Sequence, residues 1–170
     1  MIRSLKGKTP KIHPTAFVSE AAYLIGDIEI GPDASIWPGV VMRADLGKMT
    51  VGEGTNIQDG SIVHADGDMD IGSFVTLGHA VVCHARHVGD HSLLGNNCTI
   101  NDGATVGEWS ILASGAVLTE GKEVPDRSIA AGVPAKVIGR MTKRHLEMVD
   151  ENAKVYIEMA KGYKAEGNLE

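Results

Sequence analysis

Aromatic residues are scarce in this chain of 170 residues, at 4%, and only two cysteines are present. A core with so few aromatic side chains must be built mainly from aliphatic ones. The two cysteines, Cys83 and Cys98, do not suggest the disulfide framework of a small secreted protein. The length fits one domain of ordinary size.

Two further absences limit the partners that we expect. The chain has no long apolar run. We therefore predict that it has no signal peptide and no membrane span and that the protein is cytoplasmic. Its net charge of -6 and pI near 5.6 lack the excess of basic residues that nucleic acids and anionic membranes usually require. We therefore predict no nucleic-acid partner and no membrane partner.

Glycine, by contrast, is abundant, with 21 residues, and it accompanies an internal repeat of six residues. Aliphatic side chains recur at this period from Ile12 to Val124, with three extra residues before Val51, two before Ile71 and one missing before Val88. Four residues after the aliphatic lies a second register of mostly small residues, which comprises Ala16, Ala22, Ala34, Thr55, Ser61, Ser92, Cys98, Ala104, Ser110, Ala116 and Ser128.

A period of six fits neither a helix nor a long uninterrupted strand. Hexapeptide repeats are typical of a parallel β-helix, in which both registers point inward and three short strands make one turn. We therefore predict an all-β protein with a β-helix domain over residues 1–140. A β-sandwich with irregular strands is the alternative fold.

Residues 141–170 form the second predicted segment, a C-terminal helix and tail. The helix is expected from Thr142, a possible N-cap, to about Tyr163. Its apolar stripe is predicted to lie on the outside of the coil and to consist of Leu146, Val149, Ala153, Tyr156 and Met159.

The repeat places outward-pointing residues of successive turns in ladders, about 4.8 Å apart. One ladder consists of the residue directly after the third aliphatic position of each turn. We call it the third-face ladder, and it contains Arg43, His64, His84 and Asn101. Another, the second-face ladder, follows two residues after the second aliphatic and contains Pro38, Asp59, His79 and Asn96.

The two ladders assign three of the histidines to two different faces of the coil. His64 and His84 lie one above the other, so both can reach one metal ion. His79 is separated from His84 by up to about 16 Å of chain, so it can join the same ion only from another copy of the protein. A closed cyclic assembly supplies such a contact, and it also brings Asp59 toward Arg43 of the next copy.

The remaining possibilities are less specific. His87 and His91 fit neither ladder, and we expect a partly exposed spacer at His87 and plain surface at His91. A polar interface without metal is the alternative interpretation of the other three histidines.

At this point the segments "VVMRADLG", "NIQDGSIVHAD" and "LGHAVVCHA" resemble those of the gamma-class carbonic anhydrases. The resemblance implies a left-handed β-helix, a homotrimer and a zinc ion between subunits, held by His64 and His84 of one chain and His79 of the next. It also implies catalytic roles for the residues of "MRAD" and "IQDG", which are Arg43, Asp45, Gln58 and Asp59.

The reaction that the resemblance implies is the hydration of carbon dioxide to bicarbonate. Gln58 would hydrogen-bond the attacking hydroxide or the product, and Arg43 would support the charge of bicarbonate and hold the interface through Asp59. Iron(II) or cobalt(II) can replace zinc, because imidazole ligands suit these ions too.

Three departures from the family pattern predict slow or absent turnover. Leu46 follows "RAD" where the best-known active members have an acid, and Ala130 stands where many relatives have a tyrosine. Asp66 and Asp68 follow the first histidine, but neither matches the position of the family's proton shuttle. The alternatives are an acyltransferase or thioesterase that acts on coenzyme A esters, and a non-catalytic trimer held together by metal.

Overall fold

The computed structural model describes residues 1–64 and 66–167, so residues 168–170 of the predicted tail lie outside the described part. The described chain is a parallel β-helix followed by one α-helix, which confirms the predicted fold and rules out the sandwich. The strands are β1 (Ile2–Arg3), β2 (Lys11–Ile12), β3 (Phe17–Val18), β4 (Tyr23–Ile30), β5 (Ser35–Ile36), β6 (Val41–Val51), β7 (Asn56–Ile57), β8 (Ile62–His64), β9 (Met69–Ile71), β10 (Thr76–Leu77), β11 (Val82–Cys83), β12 (His87–Val88), β13 (Leu93–Leu94), β14 (Thr99–Ile100), β15 (Thr105–Val106), β16 (Ile111–Leu112), β17 (Val117–Leu118), β18 (Glu123–Val124), β19 (Ser128–Ala131) and β20 (Lys136–Arg140).

The strands form three faces, and each strand pairs with its equivalent in the next turn. Face 1 contains β2, β9, β12, β15 and β18; face 3 contains β1, β8, β11, β14 and β17. The longer strands β4 and β6 run through both faces and join them into one 12-stranded sheet. Face 2 is an 8-stranded sheet of β3, β5, β7, β10, β13, β16 and β19, ended by the antiparallel strand β20.

The interior of the coil is aliphatic, as the composition predicts. The repeated aliphatic positions from Leu24 to Val124 are buried, and all the small residues of the second register are buried beside them. Burial of one such aliphatic side chain contributes about 1.5–3 kcal/mol. The large aromatic residues Phe17 and Trp37 belong to a separate cluster outside this core.

The breaks in the repeat lie between faces 3 and 1. The extra residues before Val51 extend β6, which pairs with β8 over Val41–Arg43 and with β9 over Met49–Val51. Residues 45–48 therefore project between the parts of β6 that pair with β8 and with β9, whereas Ala44 is buried and pairs with Gly26 of β4. This projection places Asp45 next to the third-face ladder.

The helix α1 (Lys143–Ala165) packs against face 2, outside the coil as expected. Thr142 is its N-cap, and the side-chain oxygen accepts a hydrogen bond from the backbone N–H of His145. Val149 and Ala153 of the predicted stripe are buried. In the described part of the chain, α1 included, no helix combines the length and apolar character that a bilayer span requires.

The prediction was wrong for Met159, whose side chain is exposed, and Ala160 is buried instead. The reason is the helical period, since Val149, Ala153, Tyr156 and Ala160 follow spacings of four, three and four residues. Tyr156 and Ala160 contact the cluster of Phe17 and Trp37.

The two cysteine thiols should be unreactive in the folded protein. Burial raises the pKa of Cys83 to about 11 and that of Cys98 to about 12, and the thiolate is the reactive form. We expect no labelling by a thiol reagent at pH 8 without denaturant and labelling of both cysteines in denaturant. Because folding raises these pKa values, ionisation of the thiols favours the unfolded chain. The free energy of unfolding should therefore be unaffected by the thiols at neutral pH and decline as the pH rises above about 8.5. Rapid labelling of the native protein would contradict their burial.

Candidate metal centre

His64 and His84 are in direct contact on face 3. The strand register aligns Arg43 with His64, and Val63 with Cys83, so His84 follows one turn above His64. Their rings are tilted with centroids 4.8 Å apart, and His64 Nδ1 lies 2.7 Å from His84 Nε2. The predicted stacking of these two histidines is therefore present in a single chain.

Each of the two rings is held from its other side by an aspartate. Asp45 Oδ1 lies 2.9 Å from His64 Nε2, and Asp102 Oδ1 lies 2.7 Å from His84 Nδ1. The hydrogen bond from His64 and the nearby Arg43 guanidinium keep the pKa of Asp45 below its ordinary value, although partial burial opposes them. The four side chains form one continuous row, Asp45–His64–His84–Asp102, which we call the His–Asp row.

The His–Asp row is suited to hold a cation at its centre. An ionised carboxylate only accepts hydrogen bonds, so His64 Nε2 and His84 Nδ1 each carry a proton. The two inner nitrogens would then direct lone pairs at each other across 2.7 Å. A metal ion placed between these two nitrogens would relieve this repulsion.

The donor set fits a zinc-like ion. Ligand atoms of His64, His84 and Asp66 all lie within 4.8 Å of one another. Tetrahedral zinc with nitrogens at about 2.0–2.1 Å holds them about 3.3 Å apart, so the two rings would have to separate by about 0.6 Å. Carboxylates on the outer nitrogens of ligand histidines are the usual partners in metal sites.

Arg43 lies at the same end of the row as Asp45. Its Nη1 donates to Asp45 Oδ2 over 2.7 Å, and half of the Arg43 side chain is exposed. Lys6 Nζ donates to the backbone oxygen of Asp45 over 3.3 Å. Leu46, which directly follows Asp45, is exposed.

His79 lies on the second-face ladder and not in the cluster of His64, His84 and Asp66. Its Nδ1 lies 3.1 Å from Asp59 Oδ2, and both side chains are half-exposed. Its backbone N–H donates to Asn96 Oδ1, one turn above, over 3.0 Å. That turn approaches closely, because a Cβ at Gly78 would lie 3.0 Å from the backbone nitrogen of Asn96 and 3.0 Å from the backbone oxygen of Leu94.

Gln58 is buried under α1, where a network of side chains fixes it. Its Nε2 donates to Asn56 Oδ1 over 2.9 Å, and Asn56 Nδ2 donates to Thr76 Oγ1 over 2.9 Å. Asn152 of α1 donates to the same Thr76 oxygen. Gln58 and His79 both line a groove of about 680 Å³ between face 2 and α1.

The structure adds Asp102 and Asp66 as partners in this region. Sequence reasoning did not assign a role to Asp102, although it directly follows Asn101 of the third-face ladder. A third ladder, one residue after the third-face ladder, would have included it, because Asp102 is equivalent to Ala85 of the preceding turn. Asp66, His84 and Asp102 border a second cavity of about 350 Å³.

His91 is not plain surface, so that prediction was wrong. Its ring is stacked between two others, with its centroid 5.0 Å from that of Phe74 and 4.0 Å from that of Trp109. Of the His91 side chain, 23% is exposed. The three residues occupy equivalent corners of successive turns, where φ is positive, and coil spacing brings their rings face to face. His91 Nδ1 lies 3.9 Å from Asp150 Oδ1 of α1. His87 is exposed, as expected, and its Nδ1 lies 3.2 Å from Asp70.

The fold agrees with that of known proteins of similar sequence. The profile described as bacterial transferase hexapeptide (six repeats) matches residues 87–120. A protein named carbonic anhydrase from Geobacillus kaustophilus is 40% identical over 167 residues, covering 97% of this chain and 92% of that one. The chain belongs to the gamma-class carbonic anhydrase family of hexapeptide-repeat proteins.

Other relatives show the range of the family. Gamma carbonic anhydrase 1, mitochondrial, of Arabidopsis thaliana is 35% identical over 167 residues, which cover 94% of this chain. The chain spans 61% of the length of that relative and of Gamma carbonic anhydrase 2 from the same plant. The solved structure of a putative acetyltransferase from Bacillus cereus has a TM-score of 0.94 and 32% identity, with 97% of each chain covered.

The stacked corner predicts that His91 stabilises the fold. We expect His91→Ala to lower the free energy of unfolding by about 1–3 kcal/mol, since two ring contacts of about 0.5–1.5 kcal/mol each are lost. Urea unfolding followed by circular dichroism measures the change. His87→Ala, at an exposed position one face away, should change it by less than about 0.5 kcal/mol. Equal stabilities for the two variants would show that the stack contributes nothing.

Proposed function

We propose that this protein is a zinc-dependent carbonic anhydrase that hydrates carbon dioxide to bicarbonate at sites between the subunits of a homotrimer. The His–Asp row is the observation that supports this proposal most strongly. Both imidazoles expose a nitrogen toward one point, and both are held by carboxylates on their other side. Family membership supports the same chemistry.

The third ligand in this proposal is His79 of a neighbouring chain. Within one chain, two histidines of the row converge, and zinc sites for catalysis use three protein ligands and one open position. His79 is half-exposed and is held at its backbone by Asn96 and at its ring by Asp59, so it is available to a neighbour. Asp59 and Arg43 are each half-exposed as well, and we propose that they pair across the same interface.

In this proposal the residues around the metal site have distinct roles in the reaction. When bound, zinc activates water at neutral pH for attack on carbon dioxide. Asp45 and Asp102 hold protons on the outer ring nitrogens and keep the inner ones free. The Arg43 guanidinium, oriented by Asp45, provides positive charge for bicarbonate. Gln58 has one amide proton bound to Asn56, which leaves its carbonyl oxygen for the hydroxyl of the reactant or product.

We further propose that turnover is slow. Exposed Leu46 cannot transfer protons, although it occupies the position where the best-known active relatives have an acid. Iron(II) and cobalt(II) fit the same imidazole ligands, so the native ion is part of the test. The cytoplasmic location stays a prediction.

Acyl transfer or thioester hydrolysis on a coenzyme A ester is the second candidate. The groove of about 680 Å³ along α1 is large enough for an extended ligand, and it is lined by Arg144 and by apolar Met148 and Val155. The structural likeness to a putative acetyltransferase points the same way. This activity would not require the metal if a histidine acted as the base.

Metal content, mass and activity of one purified sample test the proposal together. We expect about one zinc per chain, a mass near three times 18.0 kDa by light scattering, and hydration of carbon dioxide that a chelator abolishes and zinc restores. A monomer without bound metal in zinc-replete buffer would refute the proposal.

The other outcomes select among the alternatives. A metal-bound trimer without hydration would indicate a metal that only holds the subunits together. Turnover of acetyl-coenzyme A that survives the chelator would favour the acyl-group enzyme.

A further inference from the structure

The two aspartates at the ends of the His–Asp row lie in different structural elements and have different partners. Asp45 lies on the projecting segment of β6 and is bound by Arg43 as well as His64. Asp102 lies in a turn between β14 and β15, beyond the two histidines, and it binds His84 Nδ1 over 2.7 Å. Asp102 belongs to none of the three sequence segments that carry the family resemblance.

We propose that Asp102 is a positioning residue of the metal site, an inference that rests on the proposed function. Asp102 keeps the proton of His84 on Nδ1 and so reserves Nε2 for the metal. His64 is held the opposite way, because Asp45 keeps its proton on Nε2 and reserves Nδ1. A metal held here would therefore meet Nδ1 of His64 and Nε2 of His84.

The geometry explains why a positioning residue is needed at His84. The histidine lies at the end of the two-residue strand β11, and 22% of its side chain is exposed. Nothing in so short a strand selects one ring nitrogen over the other, and the ring can flip about its last torsion. In metal sites the hydrogen bond at one ring nitrogen decides which nitrogen binds the metal. Asp102 supplies that hydrogen bond, and Ala85, one turn below it, has no polar side-chain atom.

The test measures zinc affinity in variants of Asp102, by competition with a chromophoric chelator. Loss of such an outer carboxylate typically weakens metal binding about 10–100-fold. Because Asp102 is 60% exposed, we expect Asp102→Ala to weaken binding by about tenfold, at the lower end of that range. Asp102→Asn should lose less, since its amide oxygen still accepts the proton of Nδ1 but carries no charge.

Asp70 offers a matched control on the neighbouring face. It also pairs with a histidine, with Asp70 Oδ2 lying 3.2 Å from His87 Nδ1, and its side chain is 59% exposed. Asp70→Ala and Asp70→Asn therefore remove the same charge from a similar Asp–His pair. We expect zinc affinity within about twofold of the unaltered protein for both control variants, because His87 lies outside the proposed ligand set.

A spectroscopic readout separates positioning from a general loss of structure. Nitrogen NMR of the zinc-loaded, unaltered protein should show the metal on Nε2 of His84 and on Nδ1 of His64. Circular dichroism should show that the Asp102 variants are folded, and the asparagine variant remains informative if the alanine variant is not.

Each result supports or overturns the inference. A tenfold loss confined to the Asp102 variants, with zinc on His84 Nε2, supports it. Zinc on His84 Nδ1, or equal affinities in the Asp102 and Asp70 variants, overturns it while leaving the metal site intact. If the unaltered protein binds no zinc, the proposed function fails, and the inference fails with it.

Discussion

The spacing between successive turns of the coil is the constraint on which the rest of this structure depends. Parallel pairing places equivalent residues of neighbouring turns about 4.8 Å apart. At that distance one aliphatic residue per repeat fills the interior, and no aromatic side chain is needed there. The same distance lets rings of successive turns contact one another outside the coil, as they do in the tilted pair of His64 and His84 and in the stacked pair of His91 and Trp109.

The candidate site lies beside breaks in the repeat. The extra residues in β6 place Asp45 beside His64, and Asp102 lies beside His84 from the turn above. The longer turn in β6 therefore supplies one outer partner, Asp45, whereas Asp102 lies in a repeat of regular length, from Ile100 to Val106.

Much of this could be predicted from the sequence because the period of six determines which residues are neighbours. The inward registers, the contact of His64 with His84 and the position of α1 all follow from counting. Met159 was assigned to the wrong side of α1 because the stripe was continued at the wrong spacing. His91 and Asp102 were missed because only two outward ladders were considered, and both residues lie in turns beyond them. Which ring nitrogen each histidine offers depends on side-chain torsions, which the repeat does not determine.

The central claim is that one metal ion joins His64 and His84 of one chain to His79 of another. Mixing His79→Ala and His84→Ala chains in equal amounts, with metal bound per chain as the measurement, tests it most directly. Each variant alone should bind little zinc. In a cyclic trimer every mixed assembly regains one complete interface, so random mixing should restore about one quarter of the sites. The claim would be contradicted if His79→Ala alone kept its zinc, as a site of His64, His84 and Asp66 within one chain would, or if verified mixed trimers recovered none.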